Sequence, residues 1–317
     1  MNTKLTKCHA TMNAKQSNSN RLHSSITALS FAAAVLLVAT ATSHADTIYV
    51  SIVNQNTIKQ FTSDGVGSVF ASYPSVNDPE GLAFDSAGNL YVANSGGGSF
   101  IEKFTPSGSG SVFASYPSVL TPRGLACNSA GNLYVSYSTY GIRMFTPDGV
   151  GSDFAAYTGL SRPLGLAFDS ADNLYVANNG DGTIEKFTPS GVGSLFASGL
   201  SSPSGLAFDS AGNLYVATLV GSTIQKFTPD GASSIFANTG LDRPYGLAFD
   251  SAGSLYVANA GGGGYIEKFT SSGTGSTFAD NLGSNGPEFI AIIPEPSALA
   301  LLSLGIPALL AFRSYFK

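Results

Sequence analysis

The sequence contains no tryptophan, and it has few of the residues that pair as nucleophile and base in hydrolases. All three histidines, His9, His23 and His44, lie near the N-terminus, and Cys127 is the single cysteine after Cys8. A chain processed after residue 45 therefore keeps no histidine, which excludes the usual Ser-His-Asp and Cys-His arrangements. With one cysteine left, an intramolecular disulfide is excluded as well.

Charged residues are also scarce, at 11% of the chain, and positive charge is scarcest after the N-terminal segment. No acidic residue precedes Asp46, so residues 46–317 hold all 20 acidic residues but only 11 of the 15 basic ones, a net charge of −9. This balance disfavours nucleic acid as a partner, because nucleic-acid binding depends on clustered lysine and arginine. A hydrophobic content of 43% with regular patterning argues against disorder.

Residues 1–45 have the layout of a secretory signal peptide. Four basic residues precede the apolar run ITALSFAAAVLLVATAT, and the segment ends in the small-x-small pattern Ser43-His44-Ala45. A membrane anchor is the alternative, but the run is short and leads into a cleavage pattern. The sequence therefore predicts export through the Sec machinery.

One sixteen-residue segment occurs five times, first as PEGLAFDSAGNLYVAN at Pro79–Asn94. Each copy is followed by a segment like TIEKFT, a turn like PSGVG and a segment like SLFAS. The spacing between copies is 40 to 43 residues, as measured between Gly81, Gly124, Gly165, Gly205 and Gly246. A steady period near 40 with four short strands per unit predicts the blades of a β-propeller.

The DSAGN turn within each copy has a structural interpretation. Its aspartate can accept backbone N–H bonds, and its glycine can supply a positive φ. One carboxylate per turn is too few for a calcium site. The aspartates are Asp85, Asp169, Asp209 and Asp250, and the glycines are Gly88, Gly131, Gly212 and Gly253.

The two ends of the repeat region complete each other. TIYVS at Thr47–Ser51 matches the second strand of a unit, and PEFIAI at Pro287–Ile292 matches the first. The predicted fold is all-β, a six-bladed β-propeller of four-stranded antiparallel blades over residues 46–293. The N- and C-terminal strands share one blade, and this closure removes the open edges of the sheet.

The segments GLAFDSAGNLYVAN and TIEKFTPSG resemble the NHL repeat, a blade unit of six-bladed propellers. The resemblance covers residues 46–293 and recurs in every unit. It implies an architecture shared by gluconolactonase-type and lyase-type enzymes, by secreted sensor domains, and by protein- or RNA-binding proteins. Fold alone does not choose among these functions.

Residues 294–317 resemble the PEP-CTERM sorting signal of Gram-negative bacteria that make exopolysaccharide. Pro294, Glu295 and Pro296 precede the apolar stretch Ala298–Phe312, and Arg313 follows it. With its flanking residues this stretch is long enough for a transmembrane helix. The resemblance implies processing by an exosortase, with inner-membrane anchoring before processing and a cell-surface or extracellular-matrix location after it.

Two features of this tail depart from the family. Arg313 and Lys317 are separated by SYF, whereas the family usually ends in an arginine-rich cluster, and Pro307 interrupts the helix. A plain single-span anchor is therefore the alternative. We favour the sorting signal because the three elements occur together in the family's order.

Two positions differ from blade to blade while sharing one predicted location. In an antiparallel blade, the start of the first strand and the end of the second lie on the same face, so both should line the central funnel. The position between proline and glycine holds Glu80, Arg123, Leu164, Ser204, Tyr245 and Glu288. The end of the second strand holds Ile52, Asn94, Tyr137, Asn178, Thr218 and Asn259. All except Leu164 and Ile52 are the predicted ligand-binding residues.

These side chains suit a polar ligand such as a sugar, bound by amides and hydroxyls and by stacking on tyrosine rings. Further tyrosines lie in nearby loops, at Tyr73, Tyr116 and Tyr157. The sequence predicts an exported, surface-sorted propeller that is a non-catalytic binding or structural module. Its expected ligand is a glycan or surface protein of the envelope or the exopolysaccharide matrix.

An enzyme is the alternative function. Resemblance to gluconolactonases implies a divalent metal held by Glu, Asn and Asp, yet the position between proline and glycine never carries Asn or Asp here. A lyase-like mechanism implies histidine, which residues 46–317 lack. Catalysis by a Glu80–Glu288 pair stays open, since crowding raises one carboxyl pKa. We expect no catalytic residue and no cofactor, with a divalent metal in the funnel less favoured.

Overall fold

The computed structural model describes residues 46–115, 121–137, 141–155 and 159–293. The predicted signal peptide and PEP-CTERM segment lie outside the described residues, as do Tyr116 and Tyr157. Apart from the 3-10 turn Val53–Gln55, the regular structure in the described ranges is β-strand. Within those same ranges, no helix has the length and apolar character needed to cross a membrane.

The described strands form six antiparallel sheets of four. The chain begins with β1 (Thr47–Ile52), β2 (Thr57–Phe61) and β3 (Gly67–Ser72). Blade 1 is β4 (Pro79–Phe84), β5 (Leu90–Asn94), β6 (Phe100–Phe104) and β7 (Gly110–Ser115). Blade 2 is β8 (Pro122–Cys127), β9 (Leu133–Tyr137), β10 (Gly141–Phe145) and β11 (Gly151–Ala155). Blade 3 is β12 (Pro163–Phe168), β13 (Leu174–Asn178), β14 (Thr183–Phe187) and β15 (Gly193–Ala197).

Two further blades complete the ring. Blade 4 is β16 (Pro203–Phe208), β17 (Leu214–Thr218), β18 (Thr223–Phe227) and β19 (Ser233–Ala237). Blade 5 is β20 (Pro244–Phe249), β21 (Leu255–Asn259), β22 (Tyr265–Phe269) and β23 (Gly275–Ala279). The last strand, β24 (Pro287–Ile293), forms the closing blade in the order β24-β1-β2-β3.

The closing blade confirms the predicted use of both chain ends. β24 pairs antiparallel with β1, with Thr47 opposite Ile293 and Ile52 opposite Pro287. The first strands of neighbouring blades contact each other in a complete cycle, from β4 through β8, β12, β16 and β20 to β24 and back to β4. The structure is therefore the six-bladed propeller that the repeat predicts, with the first strands around the axis.

The glycine that follows the variable position is needed where these inner strands meet. A Cβ at Gly165 would overlap the carbonyl oxygen of Ser204 in the next blade, and one at Gly205 would overlap that of Tyr245. A larger residue at Gly165 or Gly205 would therefore push two inner strands apart. The closing blade is the exception, because it has Phe289 at the equivalent position, and the Phe289 ring packs edge-on against Tyr245 with centroids 5.3 Å apart.

The core is divided among the spaces between blades. Between blades 1 and 2, for example, Tyr91 and Ile101 pack against Leu133, Val135 and Phe145. At every blade junction a phenylalanine of a fourth strand also contacts one on the third strand of the next blade, at 5.4 to 6.1 Å. We call these six contacts the phenylalanine belt: Phe113–Phe145, Phe154–Phe187, Phe196–Phe227, Phe236–Phe269, Phe278–Phe61 and Phe70–Phe104.

The turns after the first strands behave as predicted. Asp209 accepts hydrogen bonds from the backbone N–H of Ala211 (3.0 Å) and Asn213 (2.8 Å), and Gly212 has φ +81°. Lys226 lies 3.8 Å from the Asp209 carboxylate and 5.2 Å from the centre of the Tyr215 ring. The same Lys–Asp–Tyr group recurs in blades 1, 3 and 5.

Blade 2 departs from this pattern in two places at once. Asn128 and Met144 replace the aspartate and the lysine, so both charges are lost together. Cys127, beside Asn128, is a free thiol that packs at the edge of the core between blades 1 and 2. Burial raises its pKa to about 12, so the thiol stays protonated near neutral pH.

Candidate functional site

Strand pairing brings the two variable positions to one end of the propeller. Pro79 pairs with Asn94 across β4 and β5, and Pro203 pairs with Thr218 across β16 and β17. The same pairing holds in blades 2, 3 and 5. We call this end the mouth. It is formed by the loops that lead into the first strands, which begin at Pro79, Pro122, Pro163, Pro203, Pro244 and Pro287.

Four residues from the position between proline and glycine form a charged group at the axis, which we call the axial cluster: Glu80, Arg123, Tyr245 and Glu288. The Arg123 guanidinium donates from Nη1 to Oε1 of Glu80, whose side chain is almost completely buried. The Arg123 Nε is buried and has no hydrogen-bond partner among the described residues. Arg123 is the more exposed member of the pair, at 31% of its side chain against 5% for Glu80.

Glu288 lies close to Glu80 in the axial cluster. Burial, followed by the charge of Glu80, raises the pKa of Glu288 to about 9, although Arg123 and Arg243 act in the opposite direction. The protonated form of Glu288 is therefore favoured near neutral pH. Oε2 of each glutamate is buried and has no hydrogen-bond partner in the described part of the chain. Of the two carboxyl groups, that of Glu80 pairs with Arg123.

Apolar side chains fill the axis beside this cluster. Leu164, Tyr245 and Phe289 belong to one buried core group. Burial first, and then the carboxyl groups of Glu288 and Glu80, raise the pKa of Tyr245, so its hydroxyl stays neutral. Ser204 is fully buried, and its Oγ donates to the carbonyl oxygens of Pro244 and Tyr245, both at 3.1 Å. These buried side chains therefore close the axis beside the axial cluster.

The residues that end the second strands are buried within their own blades. Asn178 Nδ2 donates to the carbonyl oxygen of Gly159 at 2.7 Å, and its Oδ1 accepts from the backbone N–H of Ser161 at 3.2 Å. Asn94 and Asn259 accept in the same way, from the backbone N–H groups of Asn77 and Asp242. Each asparagine thus anchors the loop that leads into its own blade. Ligand binding by these side chains stays a prediction.

The other two candidates at this position are equally buried. Thr218 Oγ1 lies 2.8 Å from Oγ1 of Thr223, on the next strand of the same blade. Tyr137 is 1% exposed and Tyr245 is 9% exposed, so neither ring has a face open to stacking in this structure. Tyr73, in contrast, is 67% exposed. Among the candidates, Arg123 and the half-buried Glu288 of the axial cluster are therefore more accessible to a ligand than the residues at the strand ends.

The sequence prediction overlooked a third variable position, the residue directly before the first-strand proline. In four blades this residue has a positive φ between 45° and 57°, so its side chain projects from the mouth at an equivalent place in each: Asp78, Arg162, Ser202 and Arg243. Arg162 and Arg243 are exposed. The sequence could have indicated this position, because the residue before the proline changes from copy to copy as much as the residue after the proline does.

Both exposed arginines act on the axial cluster. The charge of Arg162 lowers the pKa of Tyr245, and that of Arg243 lowers the pKa of Glu288, each against the larger effect of burial. Arg243 also donates from Nη1 to Oδ1 of Asn285 at 2.6 Å. The mouth therefore combines a buried carboxyl pair with three guanidinium groups.

Glu80 and Glu288 are two acidic ligands at most for a metal ion. Across the described ranges, no three residues among His, Cys, Asp and Glu lie together as a metal site requires. The expected absence of a metal or other cofactor stays a prediction.

The fold and the axial cluster define the class of this protein: a six-bladed β-propeller closed by a blade shared between its ends. No protein-family model matches the sequence, and no curated protein matches it either. Solved structures do match. A chain of the nidogen–laminin complex is 19% identical and superposes with a TM-score of 0.66, covering 78% of this chain and 98% of its own.

Two bacterial enzymes are also similar. The virginiamycin B lyase of Staphylococcus aureus is 18% identical, with a TM-score of 0.61 over 78% of this chain and 88% of its own. A gluconolactonase from Xanthomonas campestris is 21% identical, with a TM-score of 0.56 over 65% of this chain and 77% of its own. At these identities the similarity shows the propeller fold and leaves function to the site.

Proposed function

We propose that this protein is an exported, surface-sorted β-propeller that binds a glycan of the envelope or the exopolysaccharide matrix at its mouth, without catalysing a reaction. The observation that carries the proposal is the axial cluster. It lies at the position where the inner strands differ most in charge and polarity, while most residues of the surrounding turns and cores repeat from blade to blade. A purely structural propeller has no need of a buried carboxyl pair and an arginine there.

The cluster suits hydroxyl-rich ligands. Arg123, whose side chain is 31% exposed, supplies donors, and the half-buried Glu288 supplies a carboxyl group, so neighbouring hydroxyl groups of a sugar can each find a partner. Because Leu164, Tyr245 and Phe289 close the axis, such a ligand would rest on the mouth rather than enter a channel. This geometry favours binding to part of a large polymer over enclosure of a small molecule.

Two features argue against the enzyme alternative. A solved variant of the virginiamycin B lyase, bound to quinupristin, is described as catalytically inactive through a histidine-to-alanine change. Residues 46–317 of the present chain contain no histidine at all. Gluconolactonase resemblance implies several metal ligands, and the axial cluster offers two carboxyl groups.

One observation keeps a second candidate function open, namely the proton held by Glu288. A carboxyl group with a pKa of about 9 beside an ionised carboxyl group can act as a general acid. Its substrate would have to react at the mouth. Glycoside cleavage is the chemistry that a carboxyl pair serves.

A glycan panel tests the proposed function. The full chain, purified in a non-ionic detergent, is applied to immobilised neutral and acidic polysaccharides, and both retention and release of reducing ends are measured. We expect retention by at least one polysaccharide without cleavage, and a loss of retention in Glu80→Gln, which removes the charge that holds Arg123.

The matched control is Glu102→Gln, a buried glutamate on β6 outside the axial cluster. Retention equal to wild type in Glu80→Gln, or no retention by any polysaccharide, would contradict the proposal. Cleavage that is lost in Glu288→Gln would establish the enzyme alternative instead.

A further inference from the structure

Arginine and lysine occupy different parts of this propeller. Residues 46–293 contain four arginines, and Arg123, Arg162 and Arg243 all lie at the mouth. The fourth, Arg143, lies on β10 and pairs with Asp153 at 3.3 Å. The lysines of this range all lie on third strands, at Lys59, Lys103, Lys186, Lys226 and Lys268. The mouth therefore carries guanidinium groups and no ammonium group.

The charges of the mouth do not cancel at its centre. Arg123 is neutralised by Glu80, and Glu288 is uncharged at neutral pH because its pKa is raised. Arg162 and Arg243 then remain as two positive charges beside the cluster. Arg243 has the neutral Asn285 as its partner, and the guanidinium of Arg162 makes no hydrogen bond or ion pair with any residue in the described ranges.

Three aspartates lie in the same loops, and one of them, Asp280, accepts a hydrogen bond from Nδ2 of the neighbouring Asn281 at 2.9 Å. The Asp242 carboxylate packs against Gly261, in the loop between β21 and β22. The Asp78 carboxylate packs against Gly96, in the loop between β5 and β6. The Asp242 and Asp78 carboxylates therefore contact outer loops of their own blades, whereas Arg162 and Arg243 act on the axial cluster. Arg162 and Arg243 therefore contribute positive charge beside the axial cluster, although the mouth loops also carry these aspartates.

We propose that the mouth recognises an acidic saccharide, whose carboxylate groups are bound by the guanidinium groups of Arg162 and Arg243. This inference rests on the glycan-binding function proposed above and specifies its ligand class. A guanidinium group presents a planar fork of donors that matches a carboxylate. In ring order, Glu288 and Glu80 lie between the blades of Arg243 and Arg123, and the Glu288 carboxyl group and the Arg123 guanidinium group can bind sugar hydroxyls.

The raised pKa of Glu288 also suits an acidic ligand. Two ionised glutamates would neutralise Arg123 and one further arginine, and would repel an incoming carboxylate. A neutral Glu288 avoids that repulsion. A neutral sugar would use only Arg123 and Glu288, whereas an acidic sugar would also use the two outer arginines.

The test measures equilibrium binding of the detergent-purified full chain to polygalacturonate, a polymer of acidic sugars, with dextran as the neutral polymer. We expect polygalacturonate to bind more tightly, and its affinity to fall as salt is added. Arg162→Gln and Arg243→Gln should each weaken it about tenfold, because each removes a charge-assisted contact. Arg143→Gln removes the same charge elsewhere and should change the affinity less than twofold.

Each other outcome has a distinct meaning. If dextran binds as tightly and neither mouth variant matters, the acidic-ligand inference is wrong while the glycan-binding function stands. If Arg143→Gln weakens binding as much as Arg162→Gln does, the recognition is not located at the mouth, and the inference fails. Polyglutamate binding as tight as that of polygalacturonate would show that charge alone is recognised, and would overturn the saccharide assignment. Binding to neither polysaccharide would overturn both proposals.

Discussion

Glu288 keeps its proton at a pH where glutamate is normally ionised, because burial and Glu80 raise its pKa to about 9. The unfolded chain releases that proton near the usual value of 4.5. Between these values the folded state binds one more proton than the unfolded state, so rising pH favours unfolding. Below about 4.5 the contribution of this group to stability is complete, and it is lost progressively towards pH 9.

This difference predicts the behaviour of Glu288→Gln. We expect the free energy of unfolding of the wild type to fall from pH 5 to pH 8, with a slope of up to about 1.4 kcal/mol per pH unit from this group. The variant should show a flatter profile, which urea unfolding at several pH values would measure. Burial also raises the pKa of Glu102, Glu185 and Glu267, so the comparison is between the two profiles. Parallel profiles would show that Glu288 is ionised in the folded protein.

The Lys–Asp–Tyr groups show how a blade tolerates the exchange of a charged pair. In blade 4, burial opposes ionisation of Asp209, but hydrogen bonds from Asn213 and Ala211 and the charge of Lys226 outweigh it and lower the pKa of Asp209. The resulting stability is present above the usual value of 3.8 and is lost as the pH falls through the lower folded value. Blade 2 forms the same turn with Asn128 and Met144, so the charges are dispensable when both are absent.

We therefore expect non-additive effects from Asp209→Asn and Lys226→Met. Each single change leaves an unpaired, half-buried partner, and the double change recreates the combination found in blade 2. A double-mutant cycle measured by thermal unfolding should give a coupling of about 0.5 to 1 kcal/mol, since both side chains are partly exposed and water screens their attraction. The reverse pair, Asn128→Asp with Met144→Lys, is the matched control and should couple with the same sign. Additive single changes would show that the ion pair contributes nothing.

At the scale of strands and turns, much of the blade could be predicted from the repeat. The Asp and Gly positions of the turn, the strand order and the split closing blade all follow from segments that recur with a fixed period. The phenylalanine belt could not be predicted, because it depends on the rotation between neighbouring blades. The sequence shows which residues alternate along a strand but not the angle at which two sheets face each other.

The site was predicted less completely than the fold, for a physical reason. The sequence correctly indicated that Pro79 and Asn94 lie on one face, since antiparallel pairing requires it. It could not show that the asparagine amides turn inwards to hold loops, or that Phe289 and Tyr245 meet across the axis. Both depend on side-chain packing around a ring of six inner strands. Arg162 and Arg243 were not predicted, because the positive φ that brings the residue before each first-strand proline to an equivalent place at the mouth is a property of the folded loops.

At the scale of the whole chain, the predicted sorting signal has its own test. Deleting Pro294–Pro296 should leave full-length protein in the membrane fraction, because an exosortase would lack the motif that it reads. Cell fractionation with intact-mass measurement of the C-terminus would detect this. Replacing Ser272 in the exposed β22–β23 turn with alanine is a suitable control, since it alters the propeller surface and leaves the tail intact. Unchanged processing after the deletion would mean that the tail is not a sorting signal.

The closing blade also determines where the two ends of the propeller lie. Thr47 and Ile293 are paired at one end of β1 and β24, and Ile52 and Pro287 at the other end, which is the mouth. Both chain ends of the propeller therefore emerge together on the face opposite the mouth. Residues 46 and 293 thus lie at the face opposite Arg162 and Arg243, so neither end of the described propeller occupies the face that carries these arginines.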